Sequence, residues 1–152
     1  MKKLWYNWKE MRRDVNSLCR QIVLDKFDPN VIVGLSRGGL TPGVMMSHWM
    51  KKPFKPVKAS LRDFPEWEDY LPRKTDERVL IVDDICDSGE TFERISEYIN
   101  KRKDNGVDVR FATLWWNNEC DFEPHYYVQE CAKDSENIWI NFAWEAWWNT
   151  PV

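Results

Sequence analysis

Two adjacent carboxylates, Asp83 and Asp84, stand at the end of an apolar run, Val79-Leu80-Ile81-Val82. After Ile85 and Cys86 comes the turn Asp87-Ser88-Gly89-Glu90-Thr91. An apolar run of this kind suits a parallel strand covered on both faces, and the residues beyond the turn, among them Phe92 and Ile95, take up helical spacing. A strand end, an acidic edge and a helix N-terminus therefore meet at one point. Backbone N–H groups and the positive end of a helix dipole hold phosphate at such a point, and the acids just upstream suit sugar hydroxyls or a divalent cation. Gly89 lets the main chain come close to a ligand, while the hydroxyls of Ser88 and Thr91 add donors. The chemistry indicated is the binding of a phosphorylated sugar.

A second group of residues has matching properties. Val31-Ile32-Val33-Gly34-Leu35 reads as another covered parallel strand, broken sharply by Ser36-Arg37-Gly38-Gly39. Arg37 brings a planar, permanently charged fork suited to a diphosphate, and Gly38 and Gly39 allow the backbone to reach its oxygens.

The elements that must position these groups alternate along the chain. Leu4, Trp8, Met11, Val15, Leu18 and Ile22 recur at three- and four-residue spacing, which predicts a helix over 4–22. A second helix is expected over 40–50, with Pro42 near its start, and a third over 92–99. Strands are expected over 31–35, 79–83 and 109–115, with a weaker one over 55–61. The segment 62–77 mixes prolines and charges without a period. It reads equally as a solvated connection or as a lid, with Arg62, Arg73 or Lys74 supplying charge. Alternation of strand and helix predicts a three-layer α/β fold around a mostly parallel central sheet, built as a single domain over 1–152.

Composition narrows the function classes. A chain of 152 residues, 43% hydrophobic and 31% charged, is long enough to bury a core without disulfides or a structural metal. A net charge of −3 argues against binding along a nucleic-acid backbone, and Lys2, Lys3, Arg12 and Arg13 read as a solvated face. Cys19, Cys86, Cys120 and Cys131 lack zinc-ligand spacing and read as reduced thiols, Cys86 as a buried small hydrophobe. No apolar run approaches the ~20 residues of a membrane span, so the expectation is a cytoplasmic protein with no membrane partner. Ten tryptophans are many for this length, and Trp139, Trp144, Trp147 and Trp148 cluster late in the chain, as a packed cap, a ligand wall or an interface would require.

Together, the 79–91 and 34–40 segments resemble two signatures of the type I phosphoribosyltransferases. The first is similar to the phosphoribosyl pyrophosphate motif, and the second, with its Ser-Arg-Gly-Gly-Leu, to the pyrophosphate loop of the bacterial xanthine-guanine enzymes. Trp139-Ile140-Asn141-Phe142-Ala143-Trp144-Glu145 resembles the hood segment of the purine-type members, with Ala143 in place of Pro.

The resemblance implies a role for each position. The turn 87–91 would cradle the 5′-phosphate, with Asp83 and Asp84 on the ribose hydroxyls and Asp84 assisting Mg2+. Asp87 would be the catalytic general base or proton relay beside the nucleobase. Ser36, Arg37, Gly38 and Gly39 would hold the pyrophosphate. Trp139 would be the wall on which a purine-like base stacks, with Ile140 offering backbone contacts beside it. Hood elements are expected from about 1–27 and 120–152, and a homo-oligomer, dimer or tetramer, is implied. The family's lysine that reads the purine 6-oxygen follows the strand matched by Thr113-Leu114-Trp115-Trp116, where this chain has Asn117 and Asn118. Asn117 is then the expected base contact, and since an amide both donates and accepts, a 6-oxo purine and a different base both remain open.

Blander readings stand beside these. Asp87 or Ser88 could serve only as a helix cap, Trp139 could be core, and His48 and His125 fit structural roles. The resemblance implies purine salvage. A non-catalytic or regulatory protein that binds phosphoribosyl pyrophosphate or a nucleotide is the alternative, and a tryptophan-rich interaction protein with a vestigial pocket is a third class.

Overall fold

The computed structural model describes residues 1–58, 78–101 and 106–149. The 62–77 segment, read above as a connection or a lid, lies outside the described residues. Among the described residues seven strands and three helices follow in order: β1 (Lys2–Tyr6), α1 (Trp8–Leu24), β2 (Val31–Ser36), α2 (Leu40–Met50), β3 (Phe54–Lys58), β4 (Arg78–Cys86), α3 (Glu90–Lys101), β5 (Asp108–Asn117), β6 (Tyr126–Cys131) and β7 (Ile138–Phe142), with a short 3-10 turn at Trp147–Asn149.

Five strands form one sheet in the order β3-β2-β4-β5-β6, parallel throughout, and β1 pairs with β7 in a separate parallel ribbon. Because side chains alternate across a strand, β2 and β4 divide their apolar residues between two cores. Ile32, Leu80, Val82, Ala112 and Leu114 face Met11, Val15, Leu18 and Ile22 of α1 and Met46 of α2. Val31, Val33, Val79, Ile81 and Phe111 face Phe92, Ile95 and Ile99 of α3. Both faces of the sheet are covered, which is why its strands are continuous apolar runs.

The N-terminus departs from the expected helix over 4–22. Residues 2–6 are strand, and the helix begins only at Trp8. Asn7 sets the boundary with a capping box: Glu10 N donates to Asn7 Oδ1 at 2.8 Å, and Asn7 N donates to Glu10 Oε2 at 3.0 Å. Leu4 and Trp8 mimic helical spacing, but pairing with β7 gives the backbone of 2–6 its partners. Asp14 on α1 is 2% exposed and accepts from Tyr6 Oη at 2.6 Å, Gln129 Nε2 at 3.0 Å and Arg13 Nε at 2.9 Å. It thereby fastens the ribbon and β6 to the first helix. No helix among the described residues is long and apolar enough to cross a membrane.

Candidate active site

From β2 the chain runs through α2 to β3 on one side, then crosses to β4 on the other. The strand order therefore reverses between β2 and β4. Ligands of open parallel sheets bind beyond the carboxyl ends of the strands at such a reversal, and both sequence-predicted loops lie there. The register Val31↔Val79 to Gly34↔Val82 brings the end of β2 level with the acids that close β4.

The two loops touch. A Cβ added to Gly38 would collide with the Asp84 carboxylate, and one on Gly39 would collide with the carbonyl of Val82. Glycine is thus the only residue that lets the 36–39 loop lie against the acidic edge. Its Ser36–Arg37 peptide bond is cis. Across β4, Gly89 has φ +81°, and a Cβ there would sit 2.6 Å from Phe122 Cβ, so both conformation and space demand glycine. Ser88 caps the start of α3, its Oγ accepting from Glu90 N at 3.3 Å, while the Glu90 side chain is exposed.

Asp84 is shared by two concavities. A cavity of about 220 Å³ is lined by Asp83, Asp84, Asp87, Ser88, Gly89 and Thr91. A wider cleft of about 630 Å³ is lined by Arg37, Gly38, Asp84, Trp144, Glu145 and Trp148. Burial, with the neighbouring Asp84 charge, pushes the Asp83 carboxyl well up. Burial likewise pushes Asp84 up to about 6, and the charge of Glu145 adds to the rise. Each carboxylate accepts a backbone N–H, Asp84 N donating to Asp83 Oδ1 at 2.9 Å and Ile85 N to Asp84 Oδ1 at 2.7 Å. Two crowded carboxylates are a hard-oxygen donor pair that suits a divalent cation completing its shell from a ligand's own oxygens. Among the described residues no group of three or more acidic, His or Cys side chains offers a closed cage.

Asp87 lines the smaller of the two concavities and is joined from there to the segment after β6. Its carboxylate Oδ2 is ion-paired with Lys133 Nζ, and that ammonium also lies 4.7 Å from the centroid of the Trp139 ring. Trp139 is 43% exposed, whereas Ile140 beside it is buried, its backbone paired with β1. Phe142 stacks on Trp144 at 5.1 Å, and Trp144 meets Trp8 edge-on at 6.5 Å, so the hood joins both ends of the described chain.

Asn117 differs from the expectation of an open amide. It is 2% exposed and engaged at both ends: Nδ2 donates to the Asp87 carbonyl at 3.1 Å, and Oδ1 accepts from Lys133 N at 3.0 Å and Glu119 N at 3.3 Å. It ties the phosphate turn to the β6–β7 connection. Lys133 itself carried no signal in the sequence, because an isolated lysine after a strand looks like any solvated one. Cys86 is buried with Cys120 Sγ at 3.9 Å, and burial pushes its thiol up, which matches a small apolar filler. His125 Nδ1 accepts from Phe111 N at 3.0 Å, a structural role at the sheet edge.

A parallel sheet with a glycine turn at a helix start, an acidic strand end and an Arg-Gly-Gly loop, all at its reversal point, is the architecture of a transferase of sugar phosphates. Residues 5–149 match the phosphoribosyl transferase domain, and the chain belongs to that family. It is 27% identical over 153 residues to the xanthine-guanine phosphoribosyltransferase of Idiomarina loihiensis, covering 95% of this chain and 88% of that one. The enzyme of the same name from Chromohalobacter salexigens is 26% identical over 146 residues, covering 91% and 82%. The crystal structure of purine phosphoribosyltransferase from Pyrococcus horikoshii superposes with a TM-score of 0.76 at 28% identity, covering 100% of this chain and 98% of that one.

Proposed function

We propose that the chain transfers the 5-phosphoribosyl group from phosphoribosyl pyrophosphate to a purine-like base, yielding a nucleoside monophosphate and pyrophosphate in purine salvage. The observation that carries this reading is the contact between Gly38 and Asp84, which sets the diphosphate loop against the acids of the phosphate turn. Family membership and the purine-enzyme relatives support the same reading.

In this reading the N–H groups and hydroxyls of 87–91 take the 5′-phosphate, and Asp83 and Asp84 orient the ribose hydroxyls. Ser36, Arg37, Gly38 and Gly39 receive the diphosphate. As the bond from C1 to the diphosphate breaks, C1 gains positive character and a ring nitrogen of the base attacks it. Arg37 stabilises the charge that collects on the departing group. A magnesium ion held by Asp84 and the donor's own oxygens would add Lewis-acid stabilisation to that charge. Trp139 supplies the face on which the base lies, with backbone of Ile140 beside it, and Asp87 accepts the proton the base sheds. In this reading the β1–β7 ribbon with Trp144 forms the hood of one domain, and the exposed Trp5, Trp8, Trp147 and Trp148 suit contacts in a dimer or tetramer. Free Cys19, Cys86, Cys120 and Cys131 accord with a cytoplasmic setting.

The test is pyrophosphate release on mixing the protein with donor, Mg2+ and each of xanthine, guanine, hypoxanthine and adenine. Release with at least one purine is expected. Tight donor binding by calorimetry with no product from any base would replace transfer by a binding or regulatory role.

A further inference from the structure

We propose that Cys86 and Cys120 form a reversible disulfide that loosens the hold of the 87–91 turn on its ligand, so that oxidation by a small-molecule disulfide turns the site down. The inference rests on the transferase reading only for the identity of the ligand, and goes beyond it by naming a control on that site.

The two thiols stand together at the edge of the site. Cys86 closes β4, between Asp84 and Asp87, and is 2% exposed. Cys120 lies in the turn after β5, where its N–H donates to the Asn117 carbonyl at 3.1 Å, and it is partly exposed. The sulfurs are 3.9 Å apart. Both thiols donate to one acceptor, the Phe122 carbonyl, from Cys86 at 3.6 Å and from Cys120 at 3.2 Å. Cys19 and Cys131 are buried, which leaves Cys120 as the thiol that solvent reaches. A small apolar filler accounts for Cys86 by itself, but not for a second, accessible sulfur within reach of it. An accessible thiol beside a resolving one is the arrangement of a redox-sensing pair.

The exchange begins where a reagent can enter. The Cys120 thiolate attacks one sulfur of the small-molecule disulfide, forming a mixed disulfide and releasing one thiolate. Cys86, on losing its proton, then attacks the Cys120 sulfur, forming the internal bond and expelling the second thiolate. The protein gives up two electrons and two protons, and both leave with the two small thiols produced. Burial of Cys86 confines the first attack to Cys120 and makes the second step the slow one.

The new bond consumes both S–H donors of the Phe122 carbonyl and ties the 120–122 segment to the end of β4. That segment already abuts the phosphate turn. A Cβ on Gly89, whose φ is +81°, would meet Phe122 Cβ at 2.6 Å and Cys120 Sγ at 3.6 Å. Drawing Cys120 toward Cys86 therefore presses Phe122 onto the one residue whose bare backbone lets a ligand approach. Asp87, next to Cys86, is held from the same side, its carbonyl accepting from Asn117 Nδ2 at 3.1 Å. Ligand and disulfide thus oppose one another, and by linkage each weakens the other by the same factor.

Equilibration of the protein in glutathione redox buffers tests this, with the Cys86–Cys120 crosslink read by peptide mass spectrometry and phosphoribosyl pyrophosphate affinity by calorimetry. The oxidised protein is expected to bind the donor about tenfold more weakly than the reduced protein, and dithiothreitol to restore the affinity. Saturating donor is expected to move the half-oxidation point toward more glutathione disulfide by the same factor. Cys120→Ser is expected to bind donor as the reduced protein does and to ignore the oxidant, and Cys86→Ala to stop at a glutathione adduct on Cys120. Absence of the crosslink in every buffer, a crosslinked protein with unchanged donor affinity, or an equal loss of affinity in oxidant-treated Cys120→Ser overturns the inference. A transferase reading that fails does so separately, by absence of pyrophosphate release from the reduced protein, and the crosslink is read without it.

Discussion

The two halves of the site, to which the proposed function assigns the phosphates and the base, are assembled in different ways. On the phosphate side, two short continuous segments, each a strand running into a turn and a helix, meet at a reversal in the sheet. The base side draws Asn117 from β5, Lys133 from beyond β6 and Trp139 from β7, with β1 behind. Contiguous backbone can grip an invariant group such as phosphate, because N–H groups need only the right turn. Discrimination between bases requires side chains from several directions, and those can vary strand by strand without disturbing the phosphate grip.

That division predicts that changes on the phosphate side affect every base alike. The largest effect is expected from Asp87→Ala, which sits at the border of the two halves. Pyrophosphate release should fall about 10³-fold, and full activity would remove Asp87 from the chemistry. Gly38→Ala, which pushes a methyl into the Asp84 carboxylate, should lower kcat/KM about 10²-fold for all bases. A change in base preference in that variant would break the comparison. On the other side, Trp139→Ala should raise the KM for base about tenfold, the loss of one stacking contact, while donor affinity measured by calorimetry stays as it was.

The smallest effect concerns the brace beneath the hood. Burial alone would raise the Asp14 carboxyl, but hydrogen bonds from Arg13, Tyr6 and Gln129 outweigh it and hold the group below the usual carboxylate range. A depressed folded value contributes stability that is fully present above the unfolded value, about 3.9, and is lost as pH falls through the folded one. Urea midpoints should therefore drop between pH 5 and pH 3 more steeply in the unaltered protein than in Asp14→Asn. Tyr6→Phe should cost about 1 kcal/mol at neutral pH, read from the same midpoints, without altering donor binding.

The same contrast explains what was legible in the sequence. Strands β2 and β4 announce themselves because both faces are buried and their runs are uninterrupted. The loops after them are legible because glycine and charge are placed by local geometry. Strand β1 looks helical in the sequence because Leu4 and Trp8 fall on a helical period, and only pairing with a strand more than a hundred residues later decides otherwise. Strands β6 and β7 and the place of Lys133 were hidden for the same reason. Asn117 reads in the sequence as an expected base contact, whereas its burial and its partners, which tie two turns together, are tertiary facts.

The ribbon of β1 and β7 sets Lys3 opposite Trp139 and Leu4 opposite Ile140. Residues 2–6 are thus the backing of the aromatic surface to which the proposed function assigns the heterocycle. Trimming them, or attaching a bulky fusion to them, should blur which heterocycle is taken while sparing the hold on the sugar. Anyone wishing to retune the acceptor could therefore begin from the leading edge of the polypeptide and leave the catalytic loops alone.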